Sequence, residues 1–466
     1  MVQHNKIHVA VIGSGAAGLA AAWLLSKRHK VTLLEKDGRL GGHAHTCTIN
    51  NSLSSTEHDA HSDHSSLKID TGFIVYNEPS YPNMTRWFDA MNVITEKSDM
   101  SFAVSRDNGD FEYAGGPALG LLAQPGLTLR PRFWAMLKDL LRFYRTAATH
   151  IPPDSEQSLG RYLQNNDYNE PFVQDHLLPF GAAIWSTSKA KMLDYPAAAF
   201  IRFCSNHGLL QITNRPQWRT VTAGSEQYVN AVAQALGSEA IKTGFNAVDV
   251  SRREDQVIVT SDSGEQIVAD HVVIAAHADQ ALACLADPTE EERSILSQFE
   301  YEANLAILHT DESYLPKRKR AWCSWNYVER GEQSADVVSV SYWMNKLQNL
   351  DTDTNYIVTL NPEEAPAKDC TFRTQWYQHP IFTASTWKAQ QSLWSLQGQR
   401  RTWFCGSYFG SGFHEDAVQS GLAVAEQLGG EARPWELENP SNRIVVPSKR
   451  LAAFGTDVHN AKGAIA

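Results

Sequence analysis

Residues 7–35 read Ile7-His8-Val9-Ala10-Val11-Ile12, then Gly13-Ser14-Gly15-Ala16-Ala17-Gly18, then Leu19-Ala20-Ala21-Ala22-Trp23-Leu24-Leu25, and, after a polar link, Val31-Thr32-Leu33-Leu34-Glu35. The first run is short and apolar, the third is rich in helix formers, and the last is again strand-like. The glycine string between them has the spacing of a dinucleotide-binding turn, and its strand–turn–helix–strand context is complete. Gly13 permits the tight turn, Gly15 lets the backbone approach a pyrophosphate, and Gly18 lets helix and strand pack closely. The helix start at Ala16 and Ala17 presents amide donors and a positive dipole end to phosphates. Glu35, 20 residues after Gly15, stands where a carboxylate would hydrogen-bond an adenosine ribose. The unit predicts an α/β protein with a Rossmann-type nucleotide domain.

A chain of 466 residues suggests two or three domains at about 150 residues each. Hydrophobic residues make up 42% and charged residues 20%, a globular balance that supports a large core without staples. The net charge of −11 argues against a nucleic-acid partner held by phosphate contacts. Cys47, Cys204, Cys284, Cys323, Cys370 and Cys405 are scattered with no C-x-x-C pair, which predicts reduced thiols in a cytosolic protein. The first apolar run is too short for a signal-peptide core. No stretch approaches the ~18 apolar residues of a membrane span. The expected location is therefore cytoplasmic.

The segment after Glu35 narrows the nucleotide. Lys36-Asp37-Gly38-Arg39-Leu40-Gly41-Gly42-His43 resembles the arginine-plus-double-glycine extension of the flavin amine oxidase, protoporphyrinogen oxidase and phytoene desaturase superfamily. The resemblance implies FAD as cofactor, with this second glycine turn along its pyrophosphate and ribitol. Asp70-Thr71-Gly72-Phe73 resembles the superfamily's strand passing the isoalloxazine ring, which adds Gly72 and Phe73 to the cofactor set. Residues 241–250 and 256–260 alternate as strands, and the resemblance places Val248 where a valine backbone meets adenine. The run 270–278, including Ala275, resembles the returning strand. Trp403 to Ser407 and Gly412 to Gly421 resemble the closing motif, in which Gly406, Ser407, Gly412, Phe413 and His414 would face the flavin. A helix beginning near Phe413 would stabilise charge on the reduced ring. One departure stands out: Ser407 occupies a position where many relatives carry an acid. Cys405 aligns with a small residue of that strand, which points to non-covalent FAD. No second G-x-G-x-x-G occurs, so one nucleotide is implied, with electrons leaving to oxygen, a quinone or a carrier.

The resulting layout is a discontinuous FAD domain of residues 1–80, 215–290 and 395–430. An inserted α+β substrate domain spans 81–214 and 291–394, and 431–466 is an extension without a core of its own. His58, His61 and His64 cluster in a polar loop that reads as solvated, so no metal is expected. In 127–145, Phe133, Leu137, Leu140, Leu141 and Tyr144 share a helical face opposite Lys138, Arg142 and Arg145, with Arg130 and Arg132 at the start and Trp134 at the boundary. Lys317-Arg318-Lys319-Arg320 leads into Trp322 and Trp325. Such surfaces suit the headgroup layer of an anionic membrane. The same residues favour the plainer reading, an ordinary substrate-domain helix with a solvated face plus a charged loop.

More specific strings narrow the family: Ile69 to Asn77, Ala183-Ile184-Trp185-Ser186, Asn206 to Leu210, Ser341 to Gln348, and Gly412-Phe413-His414-Glu415-Asp416. Together they resemble bacterial amine-oxidase-like FAD proteins associated with cyclopropane-fatty-acid-synthase-like methyltransferases. That resemblance, and not composition or spacing, implies a fatty-acyl or phospholipid-acyl substrate and a desaturase-like reaction. The chemistry would be hydride transfer from a substrate carbon to the flavin with proton loss from a neighbouring position. Candidate bases are His207, Tyr342, Tyr377 and His379, with Asn345 and Gln348 as positioning groups and Lys346 and Lys388 as candidate flavin-facing lysines. Amine oxidation, double-bond isomerisation and a non-catalytic flavoprotein partner of a lipid methyltransferase are the alternatives that the same residues leave open.

Overall fold

In the computed structural model, His8–Ile12 lies at the centre of a five-stranded parallel sheet ordered Ile241–Thr243, Lys30–Glu35, His8–Ile12, His271–Ile274 and Thr402–Phe404. The structure describes residues 6–50, 66–115, 118–152, 155–185, 188–211, 213–329 and 339–447. The expected histidine loop and all of 448–466 lie outside the described residues. Val9, Val11, Leu33 and Val273 are fully buried, the apolar signature of parallel strands covered on both faces. The Ala16–Ser26 helix buries every residue but its last. It packs on the final helix, His414–Gln427, at Gly421, where any side chain would overlap the Ala17 carbonyl. A three-stranded antiparallel sheet (Ala247–Arg252, Val257–Ser261, Gln266–Ala269) makes the connection back to His271–Ile274.

The second layer is a seven-stranded sheet ordered Thr371–Ile381, Glu300–His309, Ile357–Leu360, Val340–Trp343, Trp325–Val328, Phe102–Arg106 and Phe111–Gly115. Its strands come from 102–115 and 300–381, whereas the parallel strands come from 8–35, 241–274 and 402–404. A second core joins this sheet to the helices of residues 131–206 through Tyr113, Phe133, Phe143, Phe172 and Phe200.

Two segments differ from expectation. The Pro82–Ala90 helix falls within 81–214 but packs in the nucleotide-domain core, with Trp87 against Trp23 and Phe88 against Tyr228. The buried Glu415 carboxylate holds it there by accepting from the Asn83 and Met84 amides in its first turn. In Pro131–His150 the buried stripe is Phe133, Met136, Asp139, Phe143 and Ala147, so the face is rotated and Leu137 and Leu141 are only half-buried. Its basic residues are mostly spent internally. Arg142 pairs with Asp139, donates to two carbonyls and lies over Tyr168. Arg130 pairs with Asp110, and Arg132 with Glu170 and Asp175. In the second basic run, Arg318 pairs with Glu112 and Lys319 lies over Trp322. The extension after residue 431 forms no helix or strand as far as 447, yet it buries Arg433 and Ile444 against the nucleotide domain. All six cysteines are free thiols, and among the described residues no helix is long and apolar enough to cross a membrane.

Candidate active site

A cavity of ≈ 630 Å³ lies where the parallel sheet, the seven-stranded sheet and the start of the last helix meet. One part is lined by the first glycine turn. Gly13 has φ +96°, and a side chain there would press on the Ala275 carbonyl; a side chain at Gly18 would overlap the Gly13 carbonyl. At Gly15 the opposite holds: nothing lies within 4 Å of where a Cβ would project. No side chain caps the helix that starts there, so its first amides face a cradle with space for an anion.

The second glycine turn is knitted to the first. Gly41, at φ +107°, donates to the Ser14 carbonyl and hydroxyl, both at 3.1 Å. Arg39 donates to the carbonyls of Leu40, Gly42 and Ala44, closing the turn on itself. Gly42 packs so closely that a Cβ would sit 3.2 Å from the Gly15 Cα. Glu35 is buried and accepts from the Ser14 amide (2.9 Å), the Ser14 hydroxyl (2.5 Å) and the Asp37 amide (2.9 Å). Its carboxylate therefore shapes the loop as well as lining the cavity.

The wall beyond these turns is aromatic and imidazole-rich. Phe73 stacks on His414 at 3.8 Å, and Tyr377 hydrogen-bonds Thr71 (2.7 Å) and His45 (3.1 Å). The His43 ring lies 5.7 Å from His379 and 6.4 Å from His277, all three lining the cavity. Burial is the main cause holding these imidazoles neutral: His379 is lowered to about 4 and His414 to about 3, while His43 is also lowered by its histidine neighbours. His277 Nδ1 and His414 Nε2 are buried without a hydrogen-bond partner among the described residues. Orphaned polar atoms on a cavity wall, beside a cradle too open for any residue to fill, fit a bound nucleotide with a polar ring system.

Residues 16–363 match the family of flavin-containing amine oxidoreductases. The chain belongs to that family. It is a flavin oxidoreductase, and FAD is the cofactor its two glycine turns fit. Solved structures show the same fold. A fatty acid isomerase from P. acnes, described as producing CLA, is 16% identical with a TM-score of 0.62, covering 91% of this chain and 99% of its own. Cyclohexylamine oxidase from Brevibacterium oxydans is 14% identical with a TM-score of 0.63, covering 91% and 100%. A putative protoporphyrinogen oxidase from Exiguobacterium is 15% identical with a TM-score of 0.63, covering 91% and 98%.

Most residues expected at the flavin line this cavity: Gly13, Gly15, Ala16, Ala17, Glu35, Lys36, Arg39, Gly42, His43, Gly72, Phe73, Ala275, Gly406, Ser407, Gly412, Phe413 and His414. Gly18 and Gly41 lie behind the lining, where they let the backbone pack. Val248 is 47% exposed and the lining takes its neighbours Phe245, Asn246 and Ala247; the expected adenine contact is one of backbone, which an outward side chain does not oppose. The strand pairing shifts register between Ala247 and Asp249, and Val248 sits at that irregularity.

The four proposed bases, His207, Tyr342, Tyr377 and His379, all line the cavity, but in unequal states. The His207 ring is engaged at both nitrogens, by the Phe203 carbonyl and by Arg443. Tyr377 is held by Thr71 and His45, and burial pushes the Tyr342 and Tyr377 phenols up, away from proton acceptance near neutrality. The His379 ring makes no hydrogen bond to another described residue. Gln348 is turned away to Asp70, and Asn345 to the loop around Thr354 and Tyr356. Lys346 meets Asp99 and Lys388 meets Glu156, so neither reaches the cavity. Cys405 is fully buried and outside the lining. Sequence reasoning missed His277, although it directly follows the Ala275-Ala276 pair. It also missed Arg443, which carries no local signal in its Pro- and Asn-containing surroundings.

Proposed function

We propose that this flavin oxidoreductase removes hydride from a fatty-acyl or phospholipid-acyl chain and releases a desaturated product. The charge distribution in the cavity carries the reading. Among the described residues, the charged lining side chains are Glu35, Lys36, Asp37 and Arg39, all from the nucleotide-side strand and turn. The remainder of the wall carries no carboxylate, lysine or arginine: neutral polar side chains and imidazoles alternate there with apolar and aromatic residues such as Met100, Ile184, Trp218, Trp325, Tyr342 and Leu360. A methylene chain gains about 0.8 kcal/mol per buried CH₂ in such a chamber. An ammonium ion would lose its hydration and meet no carboxylate there. The fatty acid isomerase among the structural neighbours acts, by its name, on the same class of molecule.

FAD, when bound, supplies the hydride acceptor. The chain's own residues hold the acyl carbon in a dry pocket and take up the proton. We place His379 as that acceptor: it lines the cavity, its ring has no hydrogen-bonding partner among the described residues, and burial keeps it neutral. The electrons then pass to oxygen, a quinone or a carrier.

An anaerobic mixture of the yellow protein with lipids bearing unsaturated and methyl-branched chains tests this. The expected result is bleaching of the flavin and a product two mass units lighter. Bleaching by amines and not by lipids would overturn the acyl reading. A product of unchanged mass with a moved double bond would convert the assignment to isomerisation.

A further inference from the structure

Arg443, from the segment after the last helix, is carried into the interior with a side chain only 7% exposed. Its guanidinium reaches three elements at once. It faces Asp416 Oδ1 at 2.9 Å in the first turn of His414–Gln427. It donates to the Ser80 carbonyl at 2.9 Å, just before the Pro82–Ala90 helix. It lies 3.2 Å from His207 Nε2, at the end of Ala197–Asn206.

We propose that Arg443 is a positioning residue of the flavin cavity, fixing the Ser411–Phe413 turn through Asp416 and holding His207 as its Nδ1–H tautomer. The inference rests on the cavity being the flavin site and is independent of the substrate class. Asp416 Oδ2 accepts from the Ser411 amide (3.0 Å) and the Phe413 amide (2.8 Å), so its charge state and direction set the turn that lines the cavity. Asp416 is fully buried, and Arg443 supplies the cation that compensates it. The His207 argument is one of donors and acceptors. Its Nδ1 lies 2.9 Å from the Phe203 carbonyl, which only accepts, so the proton sits on Nδ1. Nε2 then accepts from the guanidinium. The ring so fixed stacks on Phe203 at 3.9 Å, and Phe203 stacks on Phe413 at 4.5 Å. One guanidinium thus sets two adjoining walls.

The charged and titratable groups around His207 are Arg443, Tyr81 edge-on at 5.6 Å, and Asp416 on the far side of the guanidinium. Burial first, and Arg443 second, lower the imidazole to about 3. Removing the cation while keeping the shape removes one cause and leaves a lone pair near a buried carboxylate. The test follows the flavin absorbance of the folded holoprotein from pH 5 to 8. Arg443→Gln should show a new transition in that range that wild type lacks, Arg443→Lys should not, and Arg443→Gln with His207→Asn should lose it. A flat Arg443→Gln profile with FAD retained, or a transition that survives in the double variant, overturns the proposal. If Arg443→Gln yields no folded protein, the wild-type holoprotein decides by ¹⁵N spectra of its histidines, with His207 assigned by loss of its signal in His207→Asn. A ring protonated on Nδ1 and silent from pH 5 to 8 supports the proposal. One protonated on Nε2, or titrating in that range, overturns it.

Discussion

Glu35 accepts two hydrogen bonds from Ser14, one from the amide at 2.9 Å and one from the hydroxyl at 2.5 Å. The end of the second strand is thereby tied to the middle of the first glycine turn, and Gly41 of the second turn is tied to the same Ser14. The expected ribose ligand is thus also the clasp of the cradle.

Glu35→Ala removes an acceptor from two buried donors of Ser14, a loss of about 1–3 kcal/mol for each group left unpaired. The variant should release FAD on dilution, and the protein without cofactor should also melt earlier. Ser14→Ala should show the same direction with a smaller effect, since the amide contact survives. Gel filtration followed by the 280/450 nm absorbance ratio, with thermal melts of both forms, checks this. Full retention of FAD by Glu35→Ala would sink the clasp.

Gly15→Ala and Gly18→Ala separate cradle from core. At Gly18 a methyl group overlaps the Gly13 carbonyl, so the variant should lose several kcal/mol and fail to accumulate as folded protein. At Gly15 the methyl group meets only open space, so the protein should fold with an unchanged melting temperature and yet bind FAD poorly. Equal FAD content in Gly15→Ala and wild type would mean that the pyrophosphate does not approach there.

The buried histidines set the acid limb of stability. His207 and His414 are lowered to about 3, and His379 to about 4. Each stays neutral in the folded protein while the unfolded chain protonates it near 6.5. Their contribution is intact above pH 6.5 and is lost as the pH falls toward those lowered values. Thermal midpoints should therefore drop steadily between pH 7 and 4. His207→Asn should flatten that slope, and an unchanged slope would contradict the burial argument.

His379→Asn and Tyr342→Phe weigh the two kinds of base. A lost general base costs about 10²- to 10⁴-fold in rate. Stopped-flow flavin reduction should show that loss for His379→Asn with FAD binding intact. Tyr342 is buried and its phenol held protonated, so Tyr342→Phe should reduce the flavin within about threefold of wild type. The reverse order of effects would move the proton to the tyrosine.

Peripheral contact with an anionic membrane, read from the basic residues of 127–145, now rests on fewer side chains. Leu129 and Trp134 are 86% and 54% exposed, and Lys138 and Arg145 face solvent. Trp134→Ser with Lys138→Glu should weaken sedimentation with anionic vesicles and leave FAD content unchanged. Arg142→Glu should instead destabilise the fold by about 3–5 kcal/mol, because it leaves the buried Asp139 facing a like charge.

The nucleotide half was legible because its chemistry is local. Gly13, Gly15, Gly18, Gly41 and Gly42 each serve a backbone need imposed by neighbours a few residues away, and that need leaves its mark at fixed spacing. Which of Ala247 and Val248 lines the cavity was not legible, because a register shift between Ala247 and Asp249 arises from pairing with the next strand. How much of the basic helix face stays unpaired was not legible, because Asp110, Asp175 and Glu170, distant in sequence from Arg130 and Arg132, neutralise part of it. The sequence alone determined the Rossmann unit, the flavin and the short set of candidate bases. Only the tertiary structure decided which base is unencumbered, which charges remain outside, and that Arg443 comes within 3.2 Å of a ring 236 residues away. Those are long-range pairings of side chains, and no periodicity along the chain encodes the partner.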